Sequence, residues 1–235
     1  MKNVRLFETT SAYESTNLDY PNLSLTQDNG KLYSNLVKPI EFVDLGLSVK
    51  WMKCNIGAEK ETDYGLFFQW GDTVGYDEST AAAHSTWATC PGNGEASSVD
   101  KTALTTWNTA NLTNNVLNTS VDAAYVHTNG KAKMPTKAHF EELISGTNNE
   151  WTTINGVAGR KFTNKTDSSK YIFIPSAGYF YFGSRFSKGS CGYVWSGSLS
   201  TSSIYGAYRL SINSGSVGTV SYDRYYALSV RGVLV

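Results

Sequence analysis

The sequence predicts an α+β fold with many short antiparallel strands, one clear helix and long loops. Three features carry that expectation. The stretches AYRLSIN, SVGTVSY and ALSVRGVLV alternate apolar and polar residues at period two, the spacing of half-buried strands. One segment, MPTKAHFEELISG, has helical spacing instead, with Phe140, Leu143 and Ile144 on one face. Between residues 76 and 130 the chain is rich in Thr, Asn, Ala, Ser and Gly and reads as a long, irregular surface insertion.

With 235 residues, 40% of them hydrophobic and 13% aromatic, the chain can bury one large core beside a small appendage. Residues 1–38 form the expected appendage, with a boundary at Lys38-Pro39. Within it, LFETTSAYES suits a short helix capped by Thr9 or Thr10. NLSLTQDNGKLYSNL reads as a hairpin turning at Asp28-Asn29-Gly30, because Asn-Gly tolerates the positive φ of a tight turn. The main domain, 39–235, opens with EFVDLGLSVKWMKCNIG as strand, glycine turn and strand, followed by the buried strand YGLFFQWGD. Trp87 and Trp107 are the aromatics expected to pack the insertion. Pro135 and Thr136 start the helix, without a full capping box at His139, and Gly146 ends it. GVAGRKFTNKTDSSKYIFIPSAGYF supplies two further strands around a polar turn. In the last segment Tyr193, Tyr208, Leu210, Ile212, Leu228 and Val230 are assigned inward.

Formal net charge is zero, so no field draws the chain to nucleic acid or an anionic membrane, and no segment has the length of a membrane span. The three cysteines are widely spaced, which excludes a CxxC metal pair and a disulfide framework. Cys54 and Cys191 read as small buried hydrophobes. His84, His127 and His139 lie in different segments, and no GxSxG, HExxH or P-loop pattern occurs. Asp44, Asp72 and Asp77 are isolated carboxylates suited to turns. The expectation is a protein that is not an enzyme and uses no cofactor or metal. The N-terminus, MKNVRLFETTSAYES, holds no apolar run that would serve as a signal-peptide core, so export by the general route is not expected.

Seven stretches, EFVDLGLSVKWMKCNIGA, YGLFFQWGDT, MPTKAHFEEL, GRKFTNKTD, IFIPSAGY, YVWSGS and RYYALSVRGV, occur in this order between Pro39 and Val235. Together they resemble the C-type-lectin-like domains of gut Bacteroides and their phages, the Fibrobacter succinogenes major paralogous type related to formylglycine-generating enzymes. The EPN, QPD and WND triplets of calcium-dependent lectins are missing, so the resemblance implies recognition without calcium. The N-terminal LFETTSAYES and YPNLSLTQDNGKLYSN are similar to the openings of Bacteroides phage structural proteins.

The segment 191–235 resembles, in addition, the variable region of proteins diversified by a retroelement. Randomising the first two adenines of AAC codons reaches every residue type except Lys, Glu, Gln, Met and Trp. Lys, Glu, Gln and Met are absent from this segment, where roughly seven are expected at the frequency of the preceding residues. The one Trp is Trp195, constant in the family, as are the positions matched by Arg224 and Arg231, which are expected to tie strands together. The resemblance implies a binding surface at Val194, Gly197, Ser200, Ser203, Tyr205, Arg209, Ser211, Gly215, Ser216, Gly218, Ser221, Tyr222, Asp223, Tyr225 and Tyr226. Tyr, Ser and Gly form an efficient recognition alphabet: large rings ordered at low entropic cost, with small adaptable neighbours. The implied function is a virion protein, assembled in the host cytoplasm, that binds a host cell-surface protein or glycan. The N-terminal unit would attach it or form a homo-oligomer. The alternatives are a bacterial cell-surface adhesin and, less favoured, a formylglycine-generating-type enzyme using Cys191.

Overall fold

The computed structural model describes residues 39–234, together with the strand backbone at Val4–Arg5, Leu23–Asp28 and Lys31–Leu36. The chain divides into two compact units, Met1–Ile40 and Glu41–Val235. In the first, Leu23–Asp28 pairs antiparallel with Lys31–Leu36, Asp28 opposite Lys31, and Val4–Arg5 pairs with the outer side of the second strand. The helix expected in LFETTSAYES lies outside the described residues.

The second unit is α+β, built largely of short antiparallel strands. Its main sheet runs in the order Val217–Asp223, Gly206–Asn213, Cys191–Leu199, Leu228–Ser229, Phe67–Phe68. The pairings are antiparallel except Cys191–Leu199 with Leu228–Ser229, where Val194 lies parallel to Ser229. A second sheet joins the start and end of the unit: Trp51–Met52 pairs antiparallel with Val233–Leu234, flanked by Phe42–Val43 and Ala132–Lys133. Thr147–Ile154, Val157–Asn164 and Tyr171–Pro175 form a third, antiparallel sheet.

Helices α1 (Lys101–Asn111), α2 (Ala123–His127) and α3 (Lys137–Gly146) pack around these sheets. The α3 helix lies where its apolar spacing places it, with Phe140 and Leu143 fully buried against Trp51, Val194, Leu210 and Ile212. Its start corrects one expectation. Thr136 Oγ1 accepts from His139 N, and Thr136 N donates to His139 Nδ1, both at 3.2 Å. The imidazole thus takes the place of the usual Glu or Gln in a complete capping box.

The reading of 76–130 as irregular is corrected more fully, since α1, α2 and a short hairpin fall inside it. Both helices begin at aspartates: Asp100 accepts from Ala103 N and Asp122 from Tyr125 N. The α1 sequence KTALTTWNTAN obscures its helix because threonine is a weak helix former. Thr105, Thr106 and Thr109 hydroxyls return to carbonyls four residues earlier, which keeps them helical on an exposed face. Leu104 anchors the buried face, and Trp107 packs at Gly71 and Gly92, where a Cβ would lie 2.6 and 2.4 Å from its ring.

Two buried arginines cross-link the unit. Arg231 donates to Asn55 Oδ1, to the carbonyls of Met52 and Lys53, and to Phe173 O. Arg224 donates to Asn108 Oδ1 and Pro91 O while stacking between Trp70 and Trp107. Leu228 and Val230 point inward, fully buried. Asp44, Asp72 and Asp77 each accept backbone N–H bonds within their own turns.

Candidate functional site

Residues opposite each other in a ladder share a face, so the main sheet's register sorts its side chains. Val194 opposes Leu210, and Gly192 opposes Ile212; this face rests on α3 and the main core. Tyr193 opposes Ser211, and Trp195 opposes Arg209, which in turn opposes Val220. On this second face Trp195 is buried, its indole N–H donating to Phe68 O at 2.9 Å. The sequence expectation had Tyr193 inward and Val194 at the surface; the register reverses both. A one-residue change of phase moves every side chain of a strand to the other face.

Arg209 lies along this second face between its two diagonal neighbours. The Tyr193 ring centroid is 4.1 Å from the guanidinium carbon and that of Tyr222 is 3.8 Å. A short hairpin, Tyr179–Tyr181 paired with Ser184–Phe186, adds the rings beyond. Phe180 points inward and exchanges backbone hydrogen bonds with Ala227, which turns Tyr179 and Tyr181 outward. Tyr181 stacks on Tyr226 at 4.8 Å, Tyr179 meets Tyr193 edge-on at 5.3 Å, and Tyr222 meets Tyr226 edge-on at 4.7 Å. At the hairpin tip Phe182 has φ +43°, a conformation that costs a side-chain-bearing residue about 1–2 kcal/mol. Ser85 holds the tip, its carbonyl accepting from Phe182 N and its hydroxyl from Gly183 N.

This surface is aromatic and rich in phenols, with Arg209 within it and the Asp223 carboxylate beside Tyr225 at its edge. Burial pushes the Tyr193 hydroxyl up to about 12, with the Cys191 contact adding to it, and raises Tyr225 and Tyr226 as well. All three are therefore neutral hydrogen-bond donors at ordinary pH. Arg209 is 5% exposed, and burial holds its pKa below the usual arginine value while the surrounding phenols oppose that shift. Among the described residues no ion pair involves it, and its Nε and Nη1 are buried without hydrogen-bond partners.

The structure brings Arg209, Tyr222, Tyr225 and Tyr226 together but scatters the other sequence-derived candidates. Tyr225 and Tyr226 are buried rather than projecting, because Tyr181, Phe182 and Trp87 pack against them. Ser211 and Gly218 oppose each other on the same outward face, and a Cβ on Gly218 would meet open space. Asp223 is exposed at the end of the edge strand, its carboxyl pKa raised by partial desolvation. Gly215 and Ser216 lie in the exposed turn at the far end of the strand pair, and Ser203 and Tyr205 in the loop at the near end. Ser221 opposes Tyr208 and so points away from Tyr222. Tyr208 shares the Leu210 face but is only half-buried, with Lys137 over its ring at 5.0 Å. Val194, Gly197 and Ser200 are corrected from surface to interior: Val194 is in the main core, Gly197 donates to Pro135 O, and Ser200 is covered at the start of the loop. The sequence reading missed Tyr179, Tyr181, Phe182 and Phe186, although GYFYFGSRF alternates aromatics about a glycine turn.

Other chemistry is sparse. Cys54, Cys90 and Cys191 form no disulfide; Cys90 is buried, and its thiol is pushed up to about 12, while Cys54 and Cys191 are half-exposed rather than buried. His84 stacks on Tyr76 at 3.5 Å, His127 Nε2 lies 2.9 Å from Thr73 O, and His139 caps α3. Among the described residues no three His, Cys, Asp or Glu side chains come together that could hold a metal ion, and no helix is long and apolar enough to cross a membrane. An open depression lined by Thr119, Ser120, Tyr125, Val126, Asn129 and Gly130 contains none of the candidate residues. No protein-family model, no curated protein and no solved structure matches the chain.

Proposed function

We propose that the Glu41–Val235 unit is a C-type-lectin-like recognition domain and that the protein binds ligands without catalysis. In this reading its C-terminal surface is diversified by a retroelement and displayed on a phage virion to bind a host surface molecule. One observation carries the reading: the 191–235 segment, which lacks Lys, Glu, Gln and Met, supplies Tyr193, Arg209, Tyr222, Tyr225 and Tyr226 to one continuous aromatic cluster that comes to the surface at Tyr222. Such rings are the usual anchors of a paratope. The exposed rings Phe182, Phe186 and Tyr222 lie on or beside this surface, at 53%, 41% and 38% exposure. The outward positions Ser211 and Gly218 vary at little cost to the fold, because surface substitutions usually change stability within about 0.5 kcal/mol. The short antiparallel strands, the apolar-faced helix α3 and the long loops support the fold assignment.

The test is adhesion of the fluorescently labelled protein to intact gut bacterial cells, Bacteroides included, comparing wild type with the Phe182→Ala/Tyr222→Ala double variant. The wild type is expected to label a subset of strains, and the double variant to lose at least tenfold in labelling while unfolding normally in urea. Equal labelling by both proteins, or none by the wild type, overturns the reading.

A further inference from the structure

We propose that the Arg209 surface takes an acidic sugar, with the guanidinium reading a carboxylate and the neighbouring rings packing against the saccharide. The inference rests on the recognition reading above and names the ligand class of that same surface.

The first ground is a cation without a partner. Arg209 is 5% exposed, yet two of its nitrogens make no hydrogen bond and none of the ion pairs among the described residues includes it. A desolvated, unpaired charge costs several kcal/mol, so an arginine there burdens the fold. Arg231 shows the contrasting arrangement, with all three guanidinium nitrogens donating to protein acceptors. The missing group at Arg209 is an anion that arrives from outside.

The second ground is geometry. The rings of Tyr193 and Tyr222 lie 4.1 and 3.8 Å from the guanidinium carbon, so the group's N–H edge is what remains for a ligand to read. A planar carboxylate matches that edge with two parallel N–H···O bonds. Tyr222 is the exposed member of the pair, on the outermost strand of the sheet, so rotation of its side chain opens the edge to a ligand. The neighbouring Tyr193 and Tyr226 phenols remain protonated and so add no negative charge against a bound carboxylate.

The third ground selects a sugar over other anions. The chain is electroneutral, which offers no field for a polyanion such as nucleic acid. The surroundings of Arg209 present ring faces, whose negative quadrupoles attract the polarised C–H groups of a pyranose. Tyr222 lies directly against the guanidinium and is 38% exposed, and the ring contacts run on from it through Tyr226 and Tyr225 to Phe182, which holds a strained left-handed backbone yet remains 53% exposed.

The experiment titrates the full-length protein with two matched pairs, 3′-sialyllactose against lactose and glucuronic acid against glucose, by calorimetry and by the NMR signal of the Arg209 Nε–H. At least one acidic member is expected to bind tenfold or more tightly than its neutral parent and to shift the Nε–H resonance. Arg209→Gln is expected to abolish that preference, and Arg209→Lys, which keeps the charge without the planar fork, to weaken it at least fivefold. Equal binding within both pairs, failure of both acidic probes, or an acidic preference that survives in Arg209→Gln overturns the proposal. So does Arg209-dependent binding of a hexaglutamate peptide with neither sugar bound. If wild type and Arg209→Gln label bacterial cells equally, the acidic-sugar proposal fails while the recognition reading stands. If the acidic sugars bind through Arg209 but no cells are labelled, host recognition fails and the sugar site stands.

Discussion

Two buried arginines in the same domain are expected to respond in opposite ways to replacement by methionine, which keeps length and removes charge. In Arg231→Met, three buried acceptors and one part-buried acceptor lose their donor: Asn55 Oδ1 and the carbonyls of Met52 and Phe173, and the Lys53 carbonyl. Each stripped acceptor costs about 1–3 kcal/mol, a gross loss of roughly 4–12 kcal/mol. Removing a desolvated cation returns several kcal/mol, leaving a net loss of about 3–5 kcal/mol. In Arg209→Met no acceptor loses a bond. The two stacked ring contacts are worth up to about 2 kcal/mol each when desolvated, and relief of the unpaired charge offsets them. The net change is expected to lie within about 1 kcal/mol of zero. Urea unfolding followed by tryptophan fluorescence measures both variants. With a slope of roughly 2.5 kcal/mol per molar, Arg231→Met lowers the midpoint by about 1–2 M and Arg209→Met moves it by less than about 0.4 M. If Arg209→Met falls as far as Arg231→Met, Arg209 is a structural tie and the reasoning that makes it a ligand-reading group is refuted.

Five other variants are open to the same assay. Gly178→Ala is expected to cost about 3 kcal/mol or more, because its Cβ would lie 2.1 Å from Phe186 O at φ +68°. Gly156→Ala, at φ +79° with nothing within 4 Å, should cost only about 1–2 kcal/mol. Gly218→Tyr should unfold within about 0.5 kcal/mol of wild type, whereas Gly192→Ala, whose Cβ would meet Ile212 and Pro175 O at 2.8 Å, should lose about 1–3 kcal/mol. Lys188 first, and then Arg185, hold the Glu78 carboxyl below its ordinary value of 4.5. That lowered pKa stabilises the fold above about pH 4.5, and the contribution is lost as pH falls through the folded value. Glu78→Gln should therefore cost under about 1 kcal/mol at pH 7, since Glu78 is half-exposed, and nothing once the carboxyl is protonated, as read from urea midpoints across that range.

Several elements were legible in the sequence because local and tertiary signals agreed. The α3 helix combines a Pro-Thr start with an apolar face, and the strands on either side of Asn29-Gly30 pair antiparallel as the expected hairpin. The α1 helix was not legible, because threonines that favour other conformations are held there by back-bonding and by the burial of Leu104. The site was half legible. Composition pointed to the 191–235 segment and to Arg209 and Tyr222, but facing depends on register, and YVW offers no local signal of its phase. Tyr193 and Val194 were therefore exchanged. The burial of Arg209 and Tyr226 is imposed by the Tyr179–Phe186 hairpin and its neighbours, a long-range contact that period-two spacing does not encode.

The central claim is that this face is a surface built to vary, and sequencing the DNA around the gene tests it most directly. The account predicts a near-copy of the Cys191–Val235 coding region beside a reverse transcriptase, differing from the gene only at adenines. The differing codons should fall at outward positions such as Ser211, Gly218 and Tyr222, and spare the buried Trp195, Leu210, Ile212 and Arg231. Absence of such a copy, or differences concentrated at those buried positions, would contradict it.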